Sequence, residues 1–184
     1  MPCEVFFEKW SRNPMTKPRI EKVTVNICTG KSGEPLEKAS KILEQLTGQK
    51  PILRPARKTI KDFGIRRGEP IAAVVTLRKQ KAVEFLTKAF SAIGNKLPAS
   101  AFDEDGNFAF GIKEHIEIPG VRYDPELGVV GMNVCATLSK PGYRVKVKKR
   151  ARSQVGSKHR VTPEEAMCFI REAYGVEVVK GGPA

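Results

Sequence analysis

Gly30-Lys31-Ser32 carries the residue types that cradle a nucleotide phosphate: backbone amides, a lysine and a hydroxyl, set between a strand-like run and a helical pattern. That cradle needs a further glycine five residues before the second one, and the position is Val25, inside the strand pattern. The loop cannot close as required. What remains is a Gly-rich strand-to-helix turn whose amides and Lys31 are free to touch an RNA phosphate. No nucleophile stands at a recognisable spacing from a base, no carboxylates pair in an apolar setting and no serine is framed by glycines, so no catalytic residue is assigned. His115, in a segment alternating with Ile112, Ile116 and Ile118, reads as a surface or rim histidine of a strand, and His159 sits among arginines. Cys3, Cys28, Cys135 and Cys168 contain no Cys-x-x-Cys pair, which leaves no zinc spacing and no expected metal or cofactor. Cys28 and Cys135 lie in apolar runs and read as small buried hydrophobes, with reduced thiols suited to a cytosolic setting.

The charge balance points elsewhere. Thirty-three Lys and Arg against 20 Asp and Glu give a formal +13, a balance that favours a polyanionic partner. A membrane surface would call for a basic amphipathic helix with bulky apolar residues opposite its charges, and no helix pattern here has that character. No segment approaches the roughly 20 consecutive apolar residues of a spanning helix. The first twenty residues, with acids, Pro14 and Pro18, do not read as a signal peptide. The expectation is a cytoplasmic, non-enzymatic nucleic-acid binder, and the rival class is an RNA-acting nucleotide-dependent factor.

Two basic segments could carry that binding. Arg54 to Arg67 places six cations, among them Arg57, Lys58, Lys61, Arg66 and Arg67, around Phe63 and Gly64. An aromatic among phosphate-binding groups suits RNA, where stacking and backbone contacts act together. The sequence leaves open whether Phe63 and Ile65 are exposed or tuck into the core. Lys140 to Arg160 holds nine Lys or Arg and no acid, with Arg144, Lys146, Lys148, Lys149, Arg150, Arg152, Lys158 and Arg160 following Lys140. It reads as a solvated arm or long hairpin loop of the kind that orders on meeting RNA.

The elements that must position these groups follow from periodicity. Val23, Val25 and Ile27 alternate with Thr24, Asn26 and Cys28 in a half-buried strand. Leu36, Ala39, Leu43 and Leu46 recur at helical spacing, with Pro35 near the start and Gly48 past the end. Pro51 to Pro55 is a short extended piece whose prolines suit an edge. A second strong strand runs from Ile71 to Arg78, and a helix follows with Ala82, Val83, Leu86, Ala89, Phe90 and Ile93 as its stripe, ending at Gly94. Asp105-Gly106-Asn107 reads as a turn, Phe108 to Ile118 as extended chain and Met132 to Leu138 as a strand. Thr162-Pro163-Glu164-Glu165 is an N-cap, a helix-starting proline and a capping-box carboxylate, followed by the stripe Ala166, Phe169, Ile170 and Ala173. Val176 to Val179 closes the chain as a short strand, and Met1 to Trp10 is too apolar for a free tail. The later strands succeed one another without helices. The pattern is therefore α+β: one domain, residues 1–184, with helices on one face of a mostly antiparallel sheet and basic loops at 54–70 and 140–160. The opposite face would present Thr24, Asn26, Thr76 and Arg78, short polar groups able to follow an RNA minor groove.

Several ordered stretches resemble one known family: Arg19 to Ile27, Leu46 to Pro51, Phe63 to Ile71, Val75 to Arg78, Phe110 to Glu114 and Gly131-Met132. The chain resembles the large-subunit ribosomal protein L-five family, called L-eleven in eukaryotes, and the insertion at Lys140 to Arg160 is similar to its archaeal and eukaryotic branch. The resemblance implies an α+β domain of the central protuberance, acting as a monomeric component of the ribosome. Its implied partners are 5S rRNA, large-subunit rRNA, P-site tRNA and the small-subunit protein S-thirteen. Residue by residue it implies that Asn26, Gln49 and Thr76 meet 5S rRNA. Lys58, Lys61, Phe63, Arg66 and Arg67 fall in its tRNA-facing loop. Cys28 and Thr29 depart from the family's usual glycine pattern at the first turn.

Overall fold

The computed structural model describes residues 3–121 and 123–179. Its helices are α1 (Cys3–Arg12), α2 (Glu34–Thr47), α3 (Lys79–Ala92), α4 (Arg144–Val147) and α5 (Pro163–Tyr174). Its strands are β1 (Arg19–Cys28), β2 (Ile52–Pro55), β3 (Pro70–Leu77), β4 (Lys96–Pro98), β5 (Phe108–Ile112), β6 (Met132–Ser139) and β7 (Glu177–Val179). A five-stranded sheet has the order β2-β3-β1-β6-β5, with β1/β3 and β2/β3 antiparallel, and β4 pairs with β7 in parallel. This is the expected α+β architecture.

The chain divides into two compact units, and the boundary falls within β1, β5 and β6. One comprises Val23–Gly94 and Phe110–Cys135. Its core follows strand parity. Val23, Val25 and Ile27 of β1 are 0% exposed, and their register partners Leu77, Val75 and Ala73 of β3 are buried with them. Helix α2 packs on β3 with Leu36, Ala39, Ile42 and Leu43 buried, so Ile42 replaces Leu46 in the expected stripe. Gly48 ends α2 in the left-handed conformation, its N–H donating to Glu44 O at 2.8 Å. In α3 Phe85 is buried and Val83 lies outward, which rotates the stripe from the expected one; Phe90 of α3 stacks on Phe110 of β5. Pro51 and Pro55 frame β2, an edge strand exposed along its length.

The expected extended chain from Phe108 to Ile118 stops at Ile112. His115 begins a 3-10 turn, His115–Glu117, and is buried, 3% exposed, rather than on a rim. Its Nδ1 accepts the Val130 N–H at 3.4 Å, and its own N–H donates to Val130 O at 3.1 Å. The second of these bonds is from the backbone N–H, and the first holds the ring inside. Gly131 lies beside the same stretch, where a Cβ would sit 2.9 Å from Lys113 O.

The other unit comprises Met1–Lys22, Asn95–Ala109 and Ala136–Ala184. Helix α5 starts as expected, with Thr162 Oγ1 accepting the Glu165 N–H at 3.3 Å, but Ala173 is exposed. The Glu165 carboxylate does not return to the cap. It accepts from Trp10 Nε1 at 3.1 Å and from Lys140 Nζ, all within the interior. The apolar stretch at the amino end thus docks as α1 through Trp10; Met1 and Pro2 of that stretch lie outside the described residues. Cys3 of α1 and Cys168 of α5 form a disulfide with Cα atoms 5.6 Å apart. The packing of α1 on α5 brings these two cysteines together. The turn at Gly106 (φ +75°) is closed by Val161, whose Cγ1 lies 2.6 Å from where a Cβ would be, so only glycine fits there.

Candidate nucleic-acid interface

Strand parity that buries one face of β1 and β3 leaves the other face polar. Thr24 and Thr76 are direct cross-strand partners, and Asn26 pairs with Val74 and Cys28 with Ala72. Partners across an antiparallel pair point to the same side, so Thr24, Thr76 and Asn26 stand together. Thr76 is exposed, Thr24 and Asn26 are half-buried, and Arg78 is exposed just beyond β3 as the N-cap of α3. Cys28 and Cys135 are exposed free thiols, not the buried hydrophobes expected. The reason is parity: both occupy the alternate positions to the buried Val23, Val25 and Ile27 of β1 and Val134 of β6. Gln49 is half-buried in the turn after α2, where its carbonyl accepts from Thr47 Oγ1 at 3.4 Å.

The first turn sits next to the stem of the first basic loop. Thr29 N–H donates to Ile71 O at 3.1 Å, and Ser32 Oγ donates to the Glu69 carboxylate. Glu69 also accepts the Arg66 N–H at 3.0 Å, and the Ser32 bond followed by the Arg66 bond holds its pKa below the usual carboxylate range. A negative charge therefore abuts the very hydroxyl that a phosphate loop would use. Lys31 remains exposed beside it.

Beyond that stem the loop is a hairpin extension. Ala56 and the Gly68-Glu69 pair exchange backbone bonds, and Ile60 and Ile65 exchange N–H···O bonds of 2.9 and 3.1 Å nearer the tip. Arg67 N–H is held by Thr59 Oγ1 at 3.0 Å. With the backbone satisfied internally, Arg57, Lys58, Lys61, Arg66 and Arg67 all project outward as exposed side chains. Phe63 lies in the tip turn and is 70% exposed, while Ile65 is half-buried. Of the two arrangements the sequence left open, the aromatic takes the exposed one.

The second basic segment is not a free arm. Lys140, at its start, is 2% exposed: its Nζ donates to Arg160 O at 3.0 Å and meets Glu165, so the two ends of the segment are clamped together. Tyr143 Oη donates to His159 O at 3.3 Å and accepts the Val161 N–H at 2.8 Å. Burial raises the Tyr143 pKa, which keeps the phenol protonated and able to donate. Helix α4 and bonds such as Ser153 N–H to Val145 O at 3.2 Å order the span between. A run rich in like charges folds here because its anchors, Lys140 and Tyr143, face inward. Arg144, Lys146, Lys149, Arg150, Arg152, Lys158 and Arg160 are exposed and Lys148 is half-buried. Among the described residues none of these eight cations is in an ion pair. Sequence reasoning assigned Lys140 no separate role from its neighbours, because nothing local distinguishes it from them.

Uncommitted cations on two ordered loops and a polar sheet face can neutralise phosphates and follow a nucleic-acid surface; among the described residues no cluster of three or more metal-ligating side chains occurs. Comparison with known proteins agrees with this chemistry. The family described as "Ribosomal protein L5" matches residues 13–66, and the model of that ribosomal family's C-terminus matches residues 70–169. The chain is 50% identical over 173 residues to the large ribosomal subunit protein uL5 of Aeropyrum pernix, covering 94% of this chain and 90% of that protein. It is 54% identical over 166 residues to uL5 of Pyrobaculum aerophilum, covering 90% and 93% respectively. With uL5 of Methanococcus maripaludis it shares 49% identity over 178 residues, covering 95% and 98%.

Proposed function

The chain belongs to the ribosomal protein L5 family, structural and non-enzymatic constituents of the large ribosomal subunit in the cytoplasm, and on that premise we propose that it anchors 5S rRNA in the central protuberance. The polar face of β1 and β3 grips the RNA by shape and hydroxyl contacts through Thr24, Asn26, Thr76 and Arg78, with Lys31 and Gln49 at its margin. The observation that carries this reading is the Thr24–Thr76 cross-strand pair beside Asn26, a polar group of fixed spacing on the face opposite the buried valines. The hairpin of residues 54–70, with Phe63 at its tip, faces P-site tRNA. The ordered segment 140–160 meets large-subunit rRNA, and the protein bridges to the small-subunit protein S-thirteen. It acts as one RNA-binding domain of residues 1–184 and as a monomer within the ribosome.

The double variant Asn26→Ala/Thr76→Ala tests the sheet face. The proposal expects weaker 5S rRNA binding and a reduced preference for 5S rRNA over tRNA in filter binding at fixed salt. Unchanged affinity and preference would remove the sheet face from the interface.

A further inference from the structure

The first turn is fastened at two points to the chain around the hairpin root. Thr29 N–H donates to Ile71 O at 3.1 Å, while Thr29 Oγ1 donates to Lys31 O at 2.8 Å. Ser32 Oγ donates to Glu69 Oε1. Gly30 and Gly33, at φ +68° and +90°, bend the backbone on either side of Lys31-Ser32. Lys31 therefore stands between two anchored residues, and it is exposed. Glu69 is where three stretches of chain converge. Its Oε1 takes the Ser32 hydroxyl and its Oε2 the Arg66 N–H at 3.0 Å. Its own N–H donates to Arg66 O at 3.2 Å, and its carbonyl accepts the Ala56 N–H at 2.8 Å. The first turn, the outgoing arm of the 54–70 hairpin and its returning arm are thus joined through one half-buried residue.

Charge alone gives no reason for an acid at this place. Among the described residues Glu69 forms no ion pair, and the Ser32 and Arg66 bonds that lower its pKa keep it ionised. An ionised carboxylate at the root of a basic hairpin repels phosphate and so opposes a polyanion in Coulomb terms. What it supplies instead is a two-pronged acceptor. Charge-assisted bonds from a hydroxyl and a backbone amide fix geometry, and a loop already held in one arrangement does not have to be ordered when its ligand arrives.

We propose that Glu69 is a positioning residue for RNA binding: by joining Ser32 to Arg66 it presets the first turn against the hairpin root, so that Lys31 meets 5S rRNA from a fixed backbone. Glu69 itself takes no RNA group. The inference rests on the 5S rRNA reading above and adds to it an acidic residue whose part is geometric.

Charge and position predict opposite signs for Glu69→Gln. Removing a negative charge by itself tightens binding to RNA, whereas an amide offers one acceptor oxygen where the carboxylate offers two and cannot hold Ser32 and Arg66 in the same places. Filter binding of the full chain to 5S rRNA at fixed salt reads the sign. Glu69→Gln should weaken binding by roughly five-fold or more, and Ser32→Ala, which leaves the charge unchanged, should do the same. Ser32→Thr keeps the hydroxyl and should bind as the wild type does. In the Lys31→Ala background Ser32→Ala should have no further effect, a result that a general loss of structure would not give. Circular dichroism checks that each variant is folded, and Ser32→Ala carries the test if Glu69→Gln is not. Tighter binding by Glu69→Gln, unchanged binding by Ser32→Ala, or an equal loss in the Lys31→Ala background overturns the positioning role and leaves the 5S rRNA reading standing. If the wild type prefers 5S rRNA no more than tRNA, that reading fails, and the same variants against large-subunit rRNA decide the positioning role by the same signs. Absence of binding to either ribosomal RNA overturns both.

Discussion

Lys140 Nζ and Glu165 Oε2 meet at 2.5 Å with both side chains 2% exposed, joining the first residue of the basic segment to the first turn of α5. Trp10 completes the group from α1. Two charges withdrawn from water are tolerable only together, so removing one strands the other. Glu165→Ala and Lys140→Ala should each cost about 3–5 kcal/mol in urea unfolding, while Lys140→Met combined with Glu165→Leu should recover most of that stability. Trp10, the only tryptophan, gives the fluorescence signal. A single-site effect below about 1 kcal/mol would show that the pair is not an isolated buried one.

The Cys3–Cys168 bridge spans 165 positions. Cross-linking so long a loop restricts the unfolded chain by up to about 5 kcal/mol in the chain-entropy account. Adding dithiothreitol should lower the melting temperature of the wild type and leave that of Cys3→Ser unchanged. Equal melting of the wild type in both conditions would mean that the bridge adds nothing to stability.

His115 is buried, and burial lowers its pKa below the ordinary 6.5. The unfolded chain then binds the proton more readily than the folded one, so stability is fully present above about pH 6.5 and declines as the pH falls toward the lowered folded value. The slope of unfolding free energy between about pH 6.5 and 5 should flatten in His115→Gln. Identical slopes in the two proteins would place the acid sensitivity elsewhere.

Phe63, 70% exposed at the tip of the 54–70 hairpin, makes little contribution to the core. Phe63→Ala should therefore shift stability by less than about 0.5 kcal/mol. If the tip stacks on tRNA, the same substitution should weaken tRNA binding by about 1–3 kcal/mol. Stability and tRNA affinity both unchanged would take the aromatic out of the interface.

Arg144, Lys149 and Arg150 are exposed and free of ion pairs among the described residues. Replacing all three with alanine should reduce the slope of log affinity against log salt for large-subunit rRNA by about 0.7–0.9 for each phosphate that is no longer neutralised. An unaltered slope would place those cations away from RNA.

Sequence alone determined the parts of this protein that depend on local geometry. The period of two in β1 identified Val23, Val25 and Ile27 as core, and their 0% exposure agrees. Thr162 and Gly48 marked helix ends because capping is decided within one turn. The same parity, applied to Cys28 as to Thr24 and Asn26, would have placed its thiol outside; apolar neighbours pointed the wrong way. The basic loops were legible as composition, since charge needs no coordinates. Tertiary structure decided everything that depends on which distant surfaces meet. Lys140 differs from the other cations of its run only because Glu165 and Arg160 O converge on it, and His115 is interior only because Val130 returns beside it. The Cys3–Cys168 bond exists only because α1 docks by Trp10. Periodicity reports which side of an element is apolar, whereas the partner of a buried polar group is set by the packing of segments far apart in the chain.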